Sequence, residues 1–597
     1  MRFIKDDLHS RKYWRIAINS LLAAAAIAAM PSEATTDTSN DTLLIWAGDK
    51  QHNAPDFVAA VDFDPASANY GKIVNITPLP AGKLPTSASA PWASATDANG
   101  TLYGGAIGNE PHHAAVSLDK KTFVAGGLLS VLNGQNQTFF FDVSNPRHPS
   151  FISAEGTGAT GSLNWASIAD DFEPLSNGHF IGTYMGSNSG NAPGRVLEFD
   201  AAHNLIGVWP DKNDANLPAG FNPHGLSIDE GRNLLVTSDF ICPIHTIFGH
   251  SNDGGNTALF RGSVRYWNLS TRQVVQSIPV GNGQSGTISV ELIPGDNKNR
   301  SFVSGVTDGN LYLVDPTANA GQGVATSVFN FNTEPTVAEN DGTPPWPHLI
   351  AINKAGTRLF ITLNFQAVHG KVAQFDISNP TSPKLLSVVD LGAGAGPHYI
   401  GLTSDETRLV VSDYFVNENL GPNASPIGLV QVEGDHKVHV LNVSDTSIAL
   451  DPKFNLDLTT AVTNIPGYNG TYPVVGRPHG FAIVEPAVPQ QPSVALGAYT
   501  YNRKLNALTQ QVVISNPNAT PLTGPVYLAL DALSTNTQLK NSNGVTLNNA
   551  PLGSPYVEIS SGSLAGNASL TVTLAFQKPA SGSVSYSPRV INNLTAP

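Results

Sequence analysis

Apolar and polar residues alternate along most of the chain in short stretches, and Gly, Asn, Asp or Pro interrupts each one. That is the period of half-buried β-strands joined by tight turns; long charged helices are not expected. Seven stretches share one form, mixing apolar or aromatic with polar residues and ending near Asp or Asn before a turn: 57–64, 137–144, 195–201, 263–270, 310–316, 371–378 and 437–444. Two are nearly the same text, Phe139-Phe140-Phe141-Asp142-Val143-Ser144-Asn145-Pro146 and Gln374-Phe375-Asp376-Ile377-Ser378-Asn379-Pro380. Their mean spacing of roughly 63 residues exceeds the ~40–50 of a common propeller blade, which implies long loops. Seven strand-rich units predict an all-β chain built on a seven-bladed β-propeller, in which radial repetition leaves few open sheet edges.

A second repeat lies between these stretches. Five times a Pro-His pair opens an apolar strand: Pro111-His112-His113, Pro223-His224, Pro347-His348, Pro397-His398 and Pro478-His479. Each is followed by alternation, a turn and a second apolar strand, so each histidine has the same place in its unit. Rotation about a propeller axis brings equivalent places together when that strand is innermost. Imidazole is neutral near pH 7 and binds copper, zinc or iron through one ring nitrogen, so three or four converging histidines make a metal site. Asp170, Asp171 and Glu173 in the third unit and Glu291 in the fifth stand near the corresponding place. There a carboxylate can complete the ligand set, orient an imidazole or accept a proton. One Pro-His pair is ordinarily a strand entrance with its imidazole tied to backbone; five at equivalent places favour a metal. His52, His148, His179, His203, His245, His250, His369, His436 and His439 lack this placement and are expected mostly in loops or at the surface. Cys242, ahead of Pro243, is expected to be a buried or inert thiol.

Composition then removes whole classes of function. Charged residues make up 13% of the 597, against ~25% in an average soluble chain, while Gly and Pro number 55 and 43. One cysteine excludes a disulfide framework, a cysteine-rich zinc site and a Cys-x-x-Cys redox pair. A net charge of -14 offers no footprint for nucleic acid. Residues 1–34 carry Arg2, Lys5, Arg11, Lys12 and Arg15, then the apolar run from Ile16 to Met30, then Ser32-Glu33-Ala34. This is the form of a secretory signal cleaved after about Ala34, its apolar run shorter than the ~20 residues of a membrane span. With 35–42 as a flexible leader and no later span, the mature protein is expected to be exported, periplasmic or secreted. The propeller pattern occupies 43–487. Beyond it, 488–492 is a Pro-rich linker, and short alternating stretches over the remainder to residue 597 predict a small immunoglobulin-like β-sandwich. That tail contains no histidine, so packing, surface attachment or contact with a protein partner is expected of it, not chemistry.

Several motifs resemble those of the selenium-binding protein family. They are Ala54-Pro55-Asp56-Phe57 running through Phe63-Asp64-Pro65, Glu110-Pro111-His112-His113, Thr237-Ser238-Asp239-Phe240 followed by Pro243, Gly262-Ser263-Val264 before Tyr266-Trp267-Asn268, Ser289-Val290-Glu291-Leu292, and Asp451-Pro452-Lys453-Phe454. They fall in the family's order between about residues 43 and 485. The resemblance implies a propeller and, from characterised members, a copper-dependent methanethiol oxidase. In such an enzyme a small thiol is oxidised with oxygen to aldehyde, sulfide and peroxide. It implies metal ligation by His112, His113 and His479; with His224, His348 and His398 these are the six ligand candidates, more than one copper needs. Glu291 or Asp171 is the implied proton carrier. Two departures matter. The family's Cys-Ser-Ser-Cys segment is absent, which removes selenium binding, and its histidine-rich third-blade motif is replaced by Asp170-Asp171-Phe172-Glu173. The rival expectations are a histidine-metal enzyme acting on another small organic substrate, with a different transition metal if not copper, and a non-catalytic binding or adhesion protein.

Overall fold

The computed structural model describes residues 41–80, 105–130, 135–156, 166–187, 192–210, 220–247, 259–339, 341–365, 368–413, 434–467, 470–485, 492–518, 521–548 and 551–592. The expected signal, nearly all of the expected leader, residues 486–487 of the expected propeller and residues 488–491 of the expected linker lie outside them. The described residues are almost entirely β.

Up to Val484 the strands form antiparallel sheets that follow one another along the chain. One sheet orders Pro111–Val116, Thr122–Gly127, Asn136–Asp142 and Ser150–Gly156 from one edge to the other. The same simple order recurs in the sheets that begin with Ser167–Pro174, Pro223–Asp229, Thr287–Leu292, Pro347–Ile352 and Ile400–Leu402. Besides a two-stranded sheet of Asn464–Gly467 and Gly470–Pro473, the remaining four-stranded sheet joins the two ends of this region. Thr42–Asp49 pairs on one side with Phe57–Asp62 and on the other with Gly476–Val484, so Leu43 faces Ile483 across more than four hundred residues of chain. The stretches ending in Asp or Asn are, in every sheet, the third strand counted from Gly476–Val484 or from the strand that begins the sheet: Phe57–Asp62, Asn136–Asp142, Arg195–Phe199, Phe260–Asn268, Asn310–Asp315, His369–Asp376 and Lys437–Val443.

Strands near the beginning of each sheet are covered on both faces by neighbouring sheets, which is why Thr42–Asp49 is buried along its whole length. Outer strands recover the half-exposed alternation, as in Gln273–Pro279. Trp46, fully buried, shows the contact between sheets: its ring centroid lies 5.6 Å from that of Phe139 and 5.9 Å from that of Phe141, and its Nε1 donates to the Gly126 carbonyl at 2.7 Å. The beginning strands also touch one another in succession: Gly476–Val484 meets Pro111–Val116, which meets Ser167–Pro174, and so on to Pro347–Ile352 against Ile400–Leu402.

After Ser493 a three-stranded sheet (Ser493–Asn502, Ala507–Ser515, Ser569–Gln577) and a four-stranded sheet containing Val526–Asp531 share one core of Val512, Ile514, Leu528, Leu530, Leu574 and Phe576. No helix among the described residues is long and apolar enough to cross a membrane.

Candidate metal centre

The beginning strands share an irregularity that aims their side chains. In Pro111–Val116, Pro111 faces Gly127 and Ala114 faces Ala125, so His112 and His113 together oppose the single residue Gly126. This one-residue bulge recurs at Asp170-Asp171 opposite Thr183, His224-Gly225 opposite Ser238, Ile288-Ser289 opposite Ser304, His348-Leu349 opposite Thr362, and His479-Gly480 opposite Trp46. In the sheet that begins with Ile400–Leu402, the His398 amide donates to the Ser412 carbonyl just ahead of the first paired residue. Bulges re-aim side chains out of the regular pleat, and here they do so at equivalent places. The strands run so close that a Cβ on Gly480 would stand 2.3 Å from the His112 carbonyl oxygen.

A hydroxyl on the second strand, opposite the bulge in three sheets and at Ser412 in the fourth, fixes the backbone of the next histidine. Thr183 Oγ1 donates to the His224 carbonyl at 2.6 Å, Ser304 Oγ to that of His348 at 2.6 Å, Thr362 Oγ1 to that of His398 at 3.0 Å, and Ser412 Oγ to that of His479. Each carbonyl is satisfied from the neighbouring sheet, which leaves the imidazole to face inward.

The six candidate histidines are all buried, and so is Asp170. One ligand atom from each of His112, His113, His398 and His479 lies within 4.8 Å of the others, and the same holds for His112, His113, Asp170 and His224. His113 Nε2 is 3.0 Å from His398 Nε2, and His398 Nδ1 is 3.1 Å from His348 Nδ1. His348 thus joins the cluster through His398 and belongs to neither quartet. Asp170 stands among three imidazoles: its Oδ1 is 3.2 Å from His112 Nε2 and 3.3 Å from His113 Nδ1, and its Oδ2 is 3.3 Å from His224 Nε2.

Burial dominates the electrostatics. It pushes His113, His224 and His348 down to about 3, with the neighbouring His112 adding to the effect at His113, and it holds His398 and His479 well below the ordinary value. These rings are neutral at physiological pH, the form that ligates metal. At Asp170 burial works upward, but the imidazoles of His224, His112 and His113 outweigh it and hold the carboxyl low. Both ring nitrogens of His112, Nδ1 of His113 and of His224, and both Asp170 oxygens are buried without a well-formed hydrogen bond. Buried polar atoms left so are costly. A cation held between them removes that cost, so the donor set fits a metal.

The predicted proton carriers lie beside this cluster. Asp171 Oδ1 is 3.5 Å from His113 Nδ1, and burial, reinforced by Asp170, raises its carboxyl to about 7. Glu291 accepts from Ser227 Oγ at 3.2 Å and stands with Glu173 and Asp171; burial, then those two charges, holds it well above its ordinary value. Glu173 is pushed up to about 8 by burial and by Asp171. Aromatic rings back the imidazoles: Tyr399 lies 4.7 Å from His113, centroid to centroid, and Phe240 lies 5.0 Å from His224.

Some expectations need correction. Asp170, named only among several nearby acids, is central to one quartet. His245 and His436, expected in loops or at the surface, are each only 4% exposed. His439 sits on a third strand beside Asp413, since that strand packs against a second strand whose end carries a carboxylate. His250 lies outside the described residues. Cys242 is buried.

A family model described as 56kDa selenium binding protein matches residues 26–406, a stretch that contains every candidate histidine except His479. Methanethiol oxidase of Mus musculus is 22% identical over 349 residues, covering 57% of this chain. This chain spans 66% of that protein's length, just under two thirds. Methanethiol oxidase of Ruegeria pomeroyi is 23% identical over 364 residues, covering 56% of this chain and 69% of that protein. Among solved structures, a hypothetical selenium-binding protein from Sulfolobus tokodaii superposes with a TM-score of 0.53 at 18% identity, covering 74% of this chain and 94% of that one. The fold is a β-propeller of that kind.

Proposed function

Because the chain belongs to the 56kDa selenium binding protein family, we propose that it is an exported, copper-dependent oxidoreductase. It converts a small thiol, oxygen and water to aldehyde, sulfide and hydrogen peroxide at the imidazole cluster. The observation that carries this reading is the quartet His112, His113, His398 and His479, four buried imidazoles of which three are held neutral by burial. An all-imidazole set suits copper, and relatives that align at 22–23% identity bear the name methanethiol oxidase.

His112, His113, His398 and His479 hold the ion, with Asp170 as a fifth donor or as the group that orients His112 and His113. Bound copper supplies single-electron exchange with sulfur and oxygen. Asp171, which titrates near neutrality beside His113 Nδ1, takes up and returns the substrate proton at its carboxylate, and Glu173 and Glu291 hold further protons behind it. Phe240 and Tyr399 keep water from the imidazoles.

In this reading the sheets up to residue 487 are seven blades of a closed propeller, supported by the succession of strand contacts and by the pairing of Thr42–Asp49 with Gly476–Val484. Residues 488–597 supply a linker and an immunoglobulin-like sandwich, supported by two sheets on one core. Residues 1–34 direct the chain to the periplasm or beyond, and the sandwich holds a surface or a protein partner.

The test is oxygen uptake with sulfide and peroxide release when the copper-loaded protein is given methanethiol. No turnover by a fully loaded sample overturns the thiol reading. The carboxylates Asp171, Glu173 and Glu291 favour one second reading, a small organic substrate other than a thiol at the same centre, which oxygen uptake without sulfide would reveal. Failure to take up copper, with His348→Ala and His398→Ala indistinguishable from the parent, would make this a binding or adhesion protein.

A further inference from the structure

Two sheets superimpose by register on their second and third strands. Ser238 faces Val264 and Thr237 faces Arg265 in one; Ser412 faces Val438 and Val411 faces His439 in the other. Asp239 and Asp413, each following its serine, therefore hold the same place, and so do Arg265 and His439.

The chemistry at that place differs. Asp239 is buried and saturated: it accepts from Arg265 Nε at 2.8 Å, Ser263 Oγ at 2.6 Å and the Asn222 amide at 2.7 Å. A guanidinium built into the fold neutralises it. Asp413 is just as buried, and its Oδ2 accepts from His439 Nε2 at 3.2 Å, but its Oδ1 has no hydrogen-bond partner. The guanidinium is missing and a second carboxylate has been added: Asp435 Oδ1 is 3.7 Å from His439 Nε2. One ligand atom from each of Asp413, Asp435 and His439 lies within 4.8 Å of the other two. Lys437 Nζ reaches Asp435 Oδ2 at 2.6 Å, with a side chain 39% exposed that can turn to solvent.

We infer that Asp413, Asp435 and His439 bind a divalent transition metal ion, at a site that shares no residue with the central imidazole quartets. One imidazole and two carboxylates are the donor mixture of zinc, manganese or iron(II) sites that keep positions open for water. The ion takes the place of the sister sheet's guanidinium by displacing the proton that Asp413 and Asp435 hold on His439, and it gives the orphaned Asp413 oxygen a partner. Its placement suggests a role as a clip: Asp413 directly follows the second strand (Arg408–Ser412), Asp435 lies just ahead of the third (Lys437–Val443) and His439 lies on it. The ion ties the two ends of the longest connection between paired strands of that sheet, where closing a loop gains most.

Zinc content after dialysis against dilute Zn²⁺ tests this in the full chain. His439→Arg restores the arrangement of the sister sheet and should fold with an unchanged circular dichroism spectrum. The expected result is one equivalent less zinc than the parent, whatever the central imidazoles retain, and a thermal midpoint that falls less on chelation than the parent's. Asp413→Asn should lose the same equivalent, and it carries the comparison should His439→Arg not fold. Equal zinc in the parent and in the folded variants overturns the site. Because the readout is a difference at residues outside the quartets, it stands or falls apart from the proposed oxidase activity.

Discussion

The cluster has two sides, imidazoles on one and the carboxylates Asp171, Glu173 and Glu291 on the other, and burial acts on them in opposite directions. It lowers the histidines and raises the acids, so it pushes both sides toward neutrality. A neutral imidazole keeps a lone pair for a cation, whereas a protonated carboxyl has given its best acceptor to a proton. The same desolvation therefore prepares one side for a metal and the other for proton storage. Asp170 marks the border, since it alone among these acids is held low by the rings around it.

The sharpest break removes a ligand. His112 belongs to both quartets, so His112→Ala should lower copper affinity by more than the ~10–100-fold typical of losing an outer partner. Glu291→Gln, on the other side, should leave affinity within a few fold. Equilibrium dialysis with metal analysis measures both. If Glu291→Gln weakens copper as much as His112→Ala, the two sides are one site. Asp170→Asn should fall between, about 10–100-fold weaker, because it keeps the shape but loses the charge that faces three imidazoles at 3.2–3.3 Å.

Next in size is the pH dependence of metal-free stability, followed by urea unfolding in chelator. For His113, His224 and His348 the folded value near 3 lies below the unfolded ~6.5, so the unfolded chain binds more protons between them and stability rises with pH across that window. For Glu173 the folded value near 8 lies above the unfolded ~4.5, so the folded chain binds the extra proton and stability falls from ~4.5 to 8. Above pH 6.5 the lowered histidines no longer contribute, so stability should decline there. Glu173→Gln keeps the neutral form at every pH and should flatten the decline, by roughly 1.4 kcal/mol for each pH unit that one group spans. Asp171 and Glu291, raised by the same burial, keep the remainder, so a decline that the substitution leaves undiminished assigns it elsewhere.

Much of this was legible in the chain. The third strands announce themselves because each ends in a polar turn that repeats, and the histidines because proline marks the strand entrance. Asp170 was harder: its unit is spelled Ala169-Asp170-Asp171, without proline, and only the shared bulge aligns it with His112 and His224. The group around His439 was missed since its partners, Asp413 and Asp435, meet only when two strands separated by a long connection pair. The hydroxyls opposite the bulges were invisible for the same reason. Each acts on a strand of the next sheet, and nothing local distinguishes Thr362 from any other strand threonine.

Those hydroxyls yield the smallest and most local prediction. Four of them donate to the carbonyl of a histidine in the next sheet. The fifth, Ser238, faces the sheet whose bulge carries Ile288, and its Oγ is buried without a hydrogen bond. If the clamp exists to hold imidazoles, it should matter only on their side. Thr362→Val keeps the volume but strips the His398 carbonyl of its donor and the Leu349 amide of its acceptor. It should cost about 1–3 kcal/mol in urea unfolding, the usual penalty of an unsatisfied buried group, and should weaken copper binding as His398 loses its anchor. Ser238→Ala removes a hydroxyl that already lacks a partner, so stability should hold or rise and copper affinity should not move. Equal losses from the two substitutions would mean that the hydroxyls serve packing between sheets, and that the bulges alone aim the histidines.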